Sequence, residues 1–394
     1  MKIKIKRYKT KYVLDYLLIM ITPIIDTING IYIIKHGATG FSLGTVYRLL
    51  LLIYVIIRLF KKKALILHLI PLIYFPIVGI VRGGINIFNC LTYAFKWILP
   101  IVLILHYAFN KEDKLDIKLC LLRTLDFWSV FVPVSLIIEY FLKLGESSYY
   151  DAGFKGLYYS TNDIALVLIV CFIYTLWKSF YLDKKNIVWS LLNFISIVIL
   201  STKSSLIFAI ISFIYILLSS KKVKVRYIIY FIMLFMFVWK FTGISILMTN
   251  FVNRYSNMWD GISGGSLINR FLIFATSGRT LRINTYFNEI NTHGNYLINL
   301  FFGWVIPDNA HVIEMDWHDL TCQYGIIGFI VLIFEYGTFF LKCNHKVQPF
   351  WYITLICLIY SLLAGHVISG AFSGTAFALV FSLLLLESRE FRKF

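Results

Sequence analysis

Apolar runs of roughly twenty residues recur from one end of this chain to the other, separated by short polar or basic connections. A helix of that length matches the hydrocarbon core of a bilayer, about 30 Å thick. Composition agrees: of 394 residues, 59% are apolar and only 15% charged, where a soluble domain carries about a quarter charged. The period-two alternation of barrel strands is absent. The chain therefore reads as an all-α integral membrane protein, one polytopic domain over 1–394.

About twelve transmembrane helices are expected, over 12–33, 43–60, 64–81, 88–109, 124–142, 161–181, 187–202, 204–219, 226–248, 319–341, 350–367 and 371–387. The seventh and eighth are closely joined and can form one hairpin. Basic clusters at 2–11, 61–63, 184–185, 221–226 and 389–393 sit at span ends. With the amino terminus inside, the even-numbered connections and both termini hold about two thirds of the 38 Lys and Arg residues, as the positive-inside rule requires. The net charge of +18 is thereby explained by topology, not by nucleic acid. No small-residue cleavage site follows the first apolar run, so that run is expected to stay as a span. The six cysteines are scattered singly and suggest no disulfide framework. Richness in Ile, Lys, Phe, Tyr and Asn fits an AT-rich bacterial genome. The expected location is the bacterial cytoplasmic membrane, multi-pass, with both termini cytoplasmic.

One connection differs from the rest. Residues 249–318, between the ninth and tenth spans, contain no membrane-length apolar run. Loops of this length are uncommon and usually functional, and the orientation makes this a large extracytoplasmic loop. It carries Arg254, Arg270, Arg279 and Arg282, then His311, Glu314, Asp316, His318 and Asp319. A second outer connection, 143–160, is smaller and rich in Gly, Ser and Tyr.

Several cations fall on the outer side, where the positive-inside rule does not account for them: Arg48, Arg82, Lys96, Lys203, Arg254, Arg270, Arg279 and Arg282. A cation within a span costs about 2.5–3.5 kcal/mol on insertion scales, so it needs a partner or a task. Two readings stand side by side. The planar fork of Arg, helped by Lys, suits the diphosphate of a lipid-linked substrate. Alternatively these groups snorkel or pair with Asp26, Asp151 or Asp163. Arg279 and Arg282 would share a helical face, and Ser277–Gly278 predicts a helix start that also favours an anion.

At the far end of the loop, His311, Glu314 and His318 fall at helical spacing, with Asp316 and Asp319 on another face. A Glu or His at the mouth of a dry cavity makes a good general base. The same residues could hold a metal, although they match no zinc-protease motif, and Asp316 or Asp319 could simply cap the tenth span. His366, near the outer end of the eleventh span, could line the cavity.

Three segments resemble the O-antigen polymerase and O-antigen ligase superfamily of membrane glycosyltransferases. "TNDIALVL" at 161–168 is similar to that family's N-x-x-A span opening, and "LSTKSSLI" at 200–207 to its T-x-S-R segment, with Lys203 as the nearby cation. The third runs from "SGRT" at 277–280 to "HVIEMDWHDLTCQYGIIGF" at 311–329. In the ligases a catalytic His lies eleven residues before the first Gly of G-x-x-G; the same count from Gly325 reaches Glu314. The E-x-D-x-x-D-L form resembles the Wzy-type polymerases of capsule and exopolysaccharide biosynthesis.

The resemblance implies a GT-C-like helical fold and a metal-independent, inverting glycosyl transfer without cofactor. It implies polymerisation of undecaprenyl-diphosphate-linked oligosaccharide repeats on the outer face of the membrane. Arg279, Arg282 and Lys203 would hold the diphosphate, with Arg48 and Arg254 in support. Glu314 is the first candidate base, followed by His318, Asp316 and His311. The expected partners are the bilayer, the lipid-linked donor and acceptor, a flippase and a chain-length regulator. The rivals are a ligase-type glycan transferase and, in another class, a lipid-linked oligosaccharide flippase.

Overall fold

The computed structural model describes residues 13–37, 42–60, 68, 70–82, 87–108, 114–149, 152–220, 244–262, 266–283, 295–304, 314–363 and 365–391. Among them the protein is almost entirely helical. The amino-terminal half comprises α1 Val13–Met20, α2 Thr22–His36, α3 Leu43–Phe60, α4 Ile70–Arg82, α5 Ile87–Ala108 and α6 Lys114–Leu142. A two-stranded antiparallel hairpin follows, β1 Glu146–Tyr149 and β2 Ala152–Gly156. Then come α7 Thr161–Tyr181, α8 Asn186–Leu200, α9 Lys203–Ser219, α10 Ile244–Gly261, α11 Leu267–Ala275, α12 Tyr296–Phe302, α13 Asp316–Phe340, α14 Phe350–Leu363 and α15 Ala371–Phe391.

Six helical stretches are long and apolar enough to cross a membrane: Val13–His36, Asn89–Ala108, Lys114–Leu142, Thr161–Tyr181, Asp316–Phe340 and Ala371–Ser388. Ile70–Arg82, Asn186–Leu200, Lys203–Ser219 and Phe350–Leu363 are shorter apolar helices. Of the expected ninth span, residues 226–243 lie outside the described residues.

The core forms around α7. Every residue from Ile164 to Leu176 is buried, which is the pattern of a helix apolar all round and enclosed by others. It packs against α6, α8, α9, α14 and α15, while α5 lies between α4 and α15. Ser160 starts α7 by accepting the Asp163 N–H, and Thr202 starts α9 by accepting that of Ser205. Between α8 and α9 the left-handed Ser201 (φ 54°) turns the chain in a single step.

Where lipid offers no hydrogen bonds, a freed backbone group must find its partner inside the protein. Pro133 in α6 cannot donate to the Ser129 carbonyl one turn earlier. Asn193 of α8 replaces that bond, its Nδ2 lying 3.0 Å from Ser129 O. Ser196, one turn on, donates to Pro133 O at 3.3 Å. A proline and an asparagine on different helices thus hold α6 to α8.

Among the described residues of the long break between the ninth and tenth expected spans, α10, α11 and α12 fall within or against it. α12 tucks beside α13, whose helix is interrupted at Gly325 (φ 68°, ψ −174°). A Cβ at Gly325 would overlap the Phe301 carbonyl, so only glycine permits this contact. Trp304 N–H donates to Cys322 O at 2.8 Å. Arg82 closes the carboxy-terminal end of α12, donating to Gly303 O at 3.1 and 2.9 Å and to Asn299 Oδ1. A cation there complements the helix dipole and satisfies a terminal carbonyl. One of the outward cations is thereby assigned to architecture.

A second polar cluster lies at the other end of α5. Asp15 is buried and accepts from Tyr54 Oη at 2.5 Å and from Arg58 Nη2 at 3.3 Å, with His106 Nε2 3.5 Å away. The gap beside it is only about 10 Å³, room for one water at most. This ionic cluster is closed.

Candidate functional site

At the end of the bundle where α5, α7, α13 and α15 begin, a cavity of about 540 Å³ opens. That volume falls within the range of small-molecule sites. Arg279 and Glu314 form one side, and Lys96, Asp163, Gln323 and His366 stand elsewhere on the wall. Ser148 comes from the β-hairpin, and Tyr93 and Tyr159 add aromatic faces.

The Arg-bearing segment and the carboxylate segment, read apart in the sequence, meet here. Arg279 Nη2 donates to Glu314 Oε2 at 2.9 Å, and Arg282 Nη1 lies 3.9 Å from Glu314 Oε1. The Arg279 side chain is 13% exposed and that of Glu314 42%. Ser277 (φ 56°) and Gly278 (φ 80°) form a left-handed turn after α11, so the helical turn bearing both arginines begins at Arg279. This is the helix start the sequence predicts.

Glu314 is held in an unusual backbone. Its φ is 65°, a left-handed conformation costing a non-glycine residue on the order of 1–3 kcal/mol. Its carbonyl sits against Gly365, where any Cβ would overlap it. The helical spacing expected for His311, Glu314 and His318 is therefore not realised. α13 begins only at Asp316, which leaves Glu314 outside the helix. His311 lies outside the described residues. His318 is half-buried, with an Nδ1 that has no partner among the described residues, and it does not line the cavity.

Asp316 has a different task. It is fully buried and accepts from Val367 N at 2.7 Å, Ile368 N at 2.8 Å, Ser369 N at 3.3 Å and Ser369 Oγ at 2.6 Å. Three successive N–H groups around one carboxylate form an anion nest, and it fixes the connection between α14 and α15. Asp319 accepts the Met315 N–H at 3.1 Å, anchoring the first turn of α13, while also reaching the cavity wall.

The other expected diphosphate ligands are dispersed. Arg48 pairs with Asp26, the ion-pair alternative. Lys203 donates to Phe274 O and lies over the Phe274 ring at 4.3 Å and the Tyr255 ring at 5.2 Å. It braces the end of α11 just ahead of the Arg279 turn and is not on the cavity wall. Arg254 sits on α10, away from that wall.

Asp163 and Lys96 were legible only as an ion-pair partner and an outlying cation. The cavity gives them a common place. Asp163 Oδ1 accepts from Ser373 Oγ at 2.6 Å, and Ser373 Oγ also meets His366 O at 2.6 Å. His366 Nδ1 lies 3.3 Å from Ser369 Oγ, and the His366 backbone is left-handed (φ 51°).

Compared with family models, curated proteins and solved structures, the chain matches none of them. The geometry of the cavity and the sequence motifs are what bear on function.

Proposed function

We propose that this protein is a membrane glycosyltransferase that joins undecaprenyl-diphosphate-linked oligosaccharide repeats into a polysaccharide on the outer face of the cytoplasmic membrane. The observation that carries this reading is the Arg279–Glu314 contact of 2.9 Å on the wall of a cavity of about 540 Å³. Both residues lie in the third of the three segments that carry the resemblance to the O-antigen polymerase and ligase superfamily. Twelve spans, a GT-C-like arrangement and an extracytoplasmic site belong to this reading.

In the proposed reaction Arg279 and Arg282 hold the donor diphosphate through their forked donors. A diphosphate on Arg279 displaces Glu314 from it, leaving that carboxylate to accept the proton of the attacking sugar hydroxyl. A C–O bond forms from the acceptor oxygen to the anomeric carbon while the bond from that carbon to the diphosphate oxygen breaks. The electron pair leaves with the diphosphate and the proton goes to Glu314. Fixed guanidinium charge on the leaving group supports such a single displacement electrostatically.

Purified protein in liposomes with lipid-linked repeats provides the test. The expected result is a ladder of polymers formed on one face, absent in Glu314→Gln at unchanged protein abundance. Repeats carried across the bilayer unjoined would establish the flippase instead. Transfer to a non-repeat acceptor without a ladder would establish the ligase.

A further inference from the structure

A lysine inside an apolar bundle ordinarily finds a carboxylate or a carbonyl, because its ammonium loses its hydration there. Among the described residues Lys96 bonds to neither, and Asp163 and Arg48 act on it only electrostatically. Counted from Ile87, it lies nine residues into α5, about 13 Å along the helix at 1.5 Å per residue. Among the described residues its ammonium has no hydrogen-bond acceptor and no ion-pair partner, only the Tyr93 ring at 4.5 Å. Yet it lines the cavity, as does Asp163. Among the described residues the Asp163 carboxylate receives one side-chain hydrogen bond, on Oδ1 from Ser373, and so keeps acceptor capacity.

The closed cluster at the other end of α5 shows what a merely structural arrangement looks like here. There the carboxylate contacts a tyrosine, an arginine and a histidine, and almost no space remains. Lys96 and Asp163 are neither collapsed on one another nor sealed, and open cavity volume stands beside both.

From this we propose that Lys96 and Asp163 form a saccharide subsite, distinct from the Arg279–Glu314 contact, that binds the hydroxyl-rich face of an uncharged sugar ring. Each sugar hydroxyl both donates and accepts, so one carboxylate and one ammonium can each satisfy a hydroxyl group. Their opposite charges leave the subsite near neutrality, which favours a hexose or N-acetylhexosamine over an anion. Tyr93 and Tyr159 line the same cavity and offer apolar faces for the ring's C–H surface. This inference rests on the glycosyltransferase reading for its biological meaning and names the sugar class held there. As a binding site it can be tested without turnover.

The full-length protein in nanodiscs is titrated with methyl glycosides of a neutral hexose, an N-acetylhexosamine and a hexuronic acid, and separately with pyrophosphate. Saturation-transfer NMR reads binding. At least one uncharged glycoside is expected to bind. Lys96→Met and Asp163→Asn should each weaken it at least about tenfold, the loss of a charge-assisted hydrogen bond, whereas Arg279→Gln should leave it in place and weaken pyrophosphate instead. Lys96→Met removes a buried charge without shortening the side chain much, so a monodisperse profile on gel filtration is expected of it. The inference is overturned if no uncharged glycoside binds, if binding survives both substitutions, or if Lys96→Met removes pyrophosphate and not the sugar. Failure of wild-type protein to bind pyrophosphate, with sugar binding intact, would count against the diphosphate assignment while leaving the subsite standing.

Discussion

The two ends of α5 carry similar side chains in opposite circumstances. At one end Asp15, Tyr54, Arg58 and His106 close on one another around a gap of about 10 Å³. At the other, Lys96 and Asp163 share a cavity of about 540 Å³ with Arg279, Glu314 and His366. Both regions contain ionisable groups that an apolar chain can ill afford. The difference teaches that charge inside a bundle does not by itself mark a site. Open space beside the charge is what separates the candidate site from the closed cluster.

The sharpest way to break this contrast is to neutralise one carboxylate at each end. Glu314→Gln should lower polymer formation by at least about 100-fold, the range of a lost general base, with thermal unfolding unchanged. A full ladder from that variant would remove Glu314 from the chemistry. Asp15→Ala should do the reverse. Removing the shared partner of a buried cluster costs about 3–5 kcal/mol, seen as a lowered unfolding midpoint, while activity per folded molecule is retained. Arg279→Lys should leave about one tenth of the activity, because a point charge replaces a two-pronged contact; complete rescue by lysine would reduce Arg279 to a surface charge. His318→Gln should change activity by less than about twofold, consistent with a side chain off the cavity wall.

Much of the architecture was legible in the sequence because it follows from apolar run length. The six helical stretches long and apolar enough to cross a membrane fall where apolar runs predicted spans. What could not be read was which distant residues meet. Arg279 and Glu314 are 35 positions apart, and no local periodicity encodes that contact. Glu314 and Asp316 are both candidate bases in the sequence, Glu314 the first of them. Their roles separate only because α13 starts between them, leaving one on the rim and the other inside a nest of backbone N–H groups. Likewise nothing local in the sequence distinguishes Arg82, spent on closing α12, from Lys96, which lines the cavity. Cations of one class by topology separate in the structure: Arg82 closes a helix, Arg48 pairs with Asp26, and Lys96 and Arg279 line the cavity.

The contact between the Glu314 carbonyl and Gly365 has a consequence for how this protein tolerates change. Gly365 has no functional group, yet an added methyl would meet the backbone of the candidate base. In a saturation library selected for polymer, position 365 should accept almost nothing but glycine and look as intolerant as position 314. A reader of such a map would mistake it for a reacting residue, when it is the seat on which the proposed base rests.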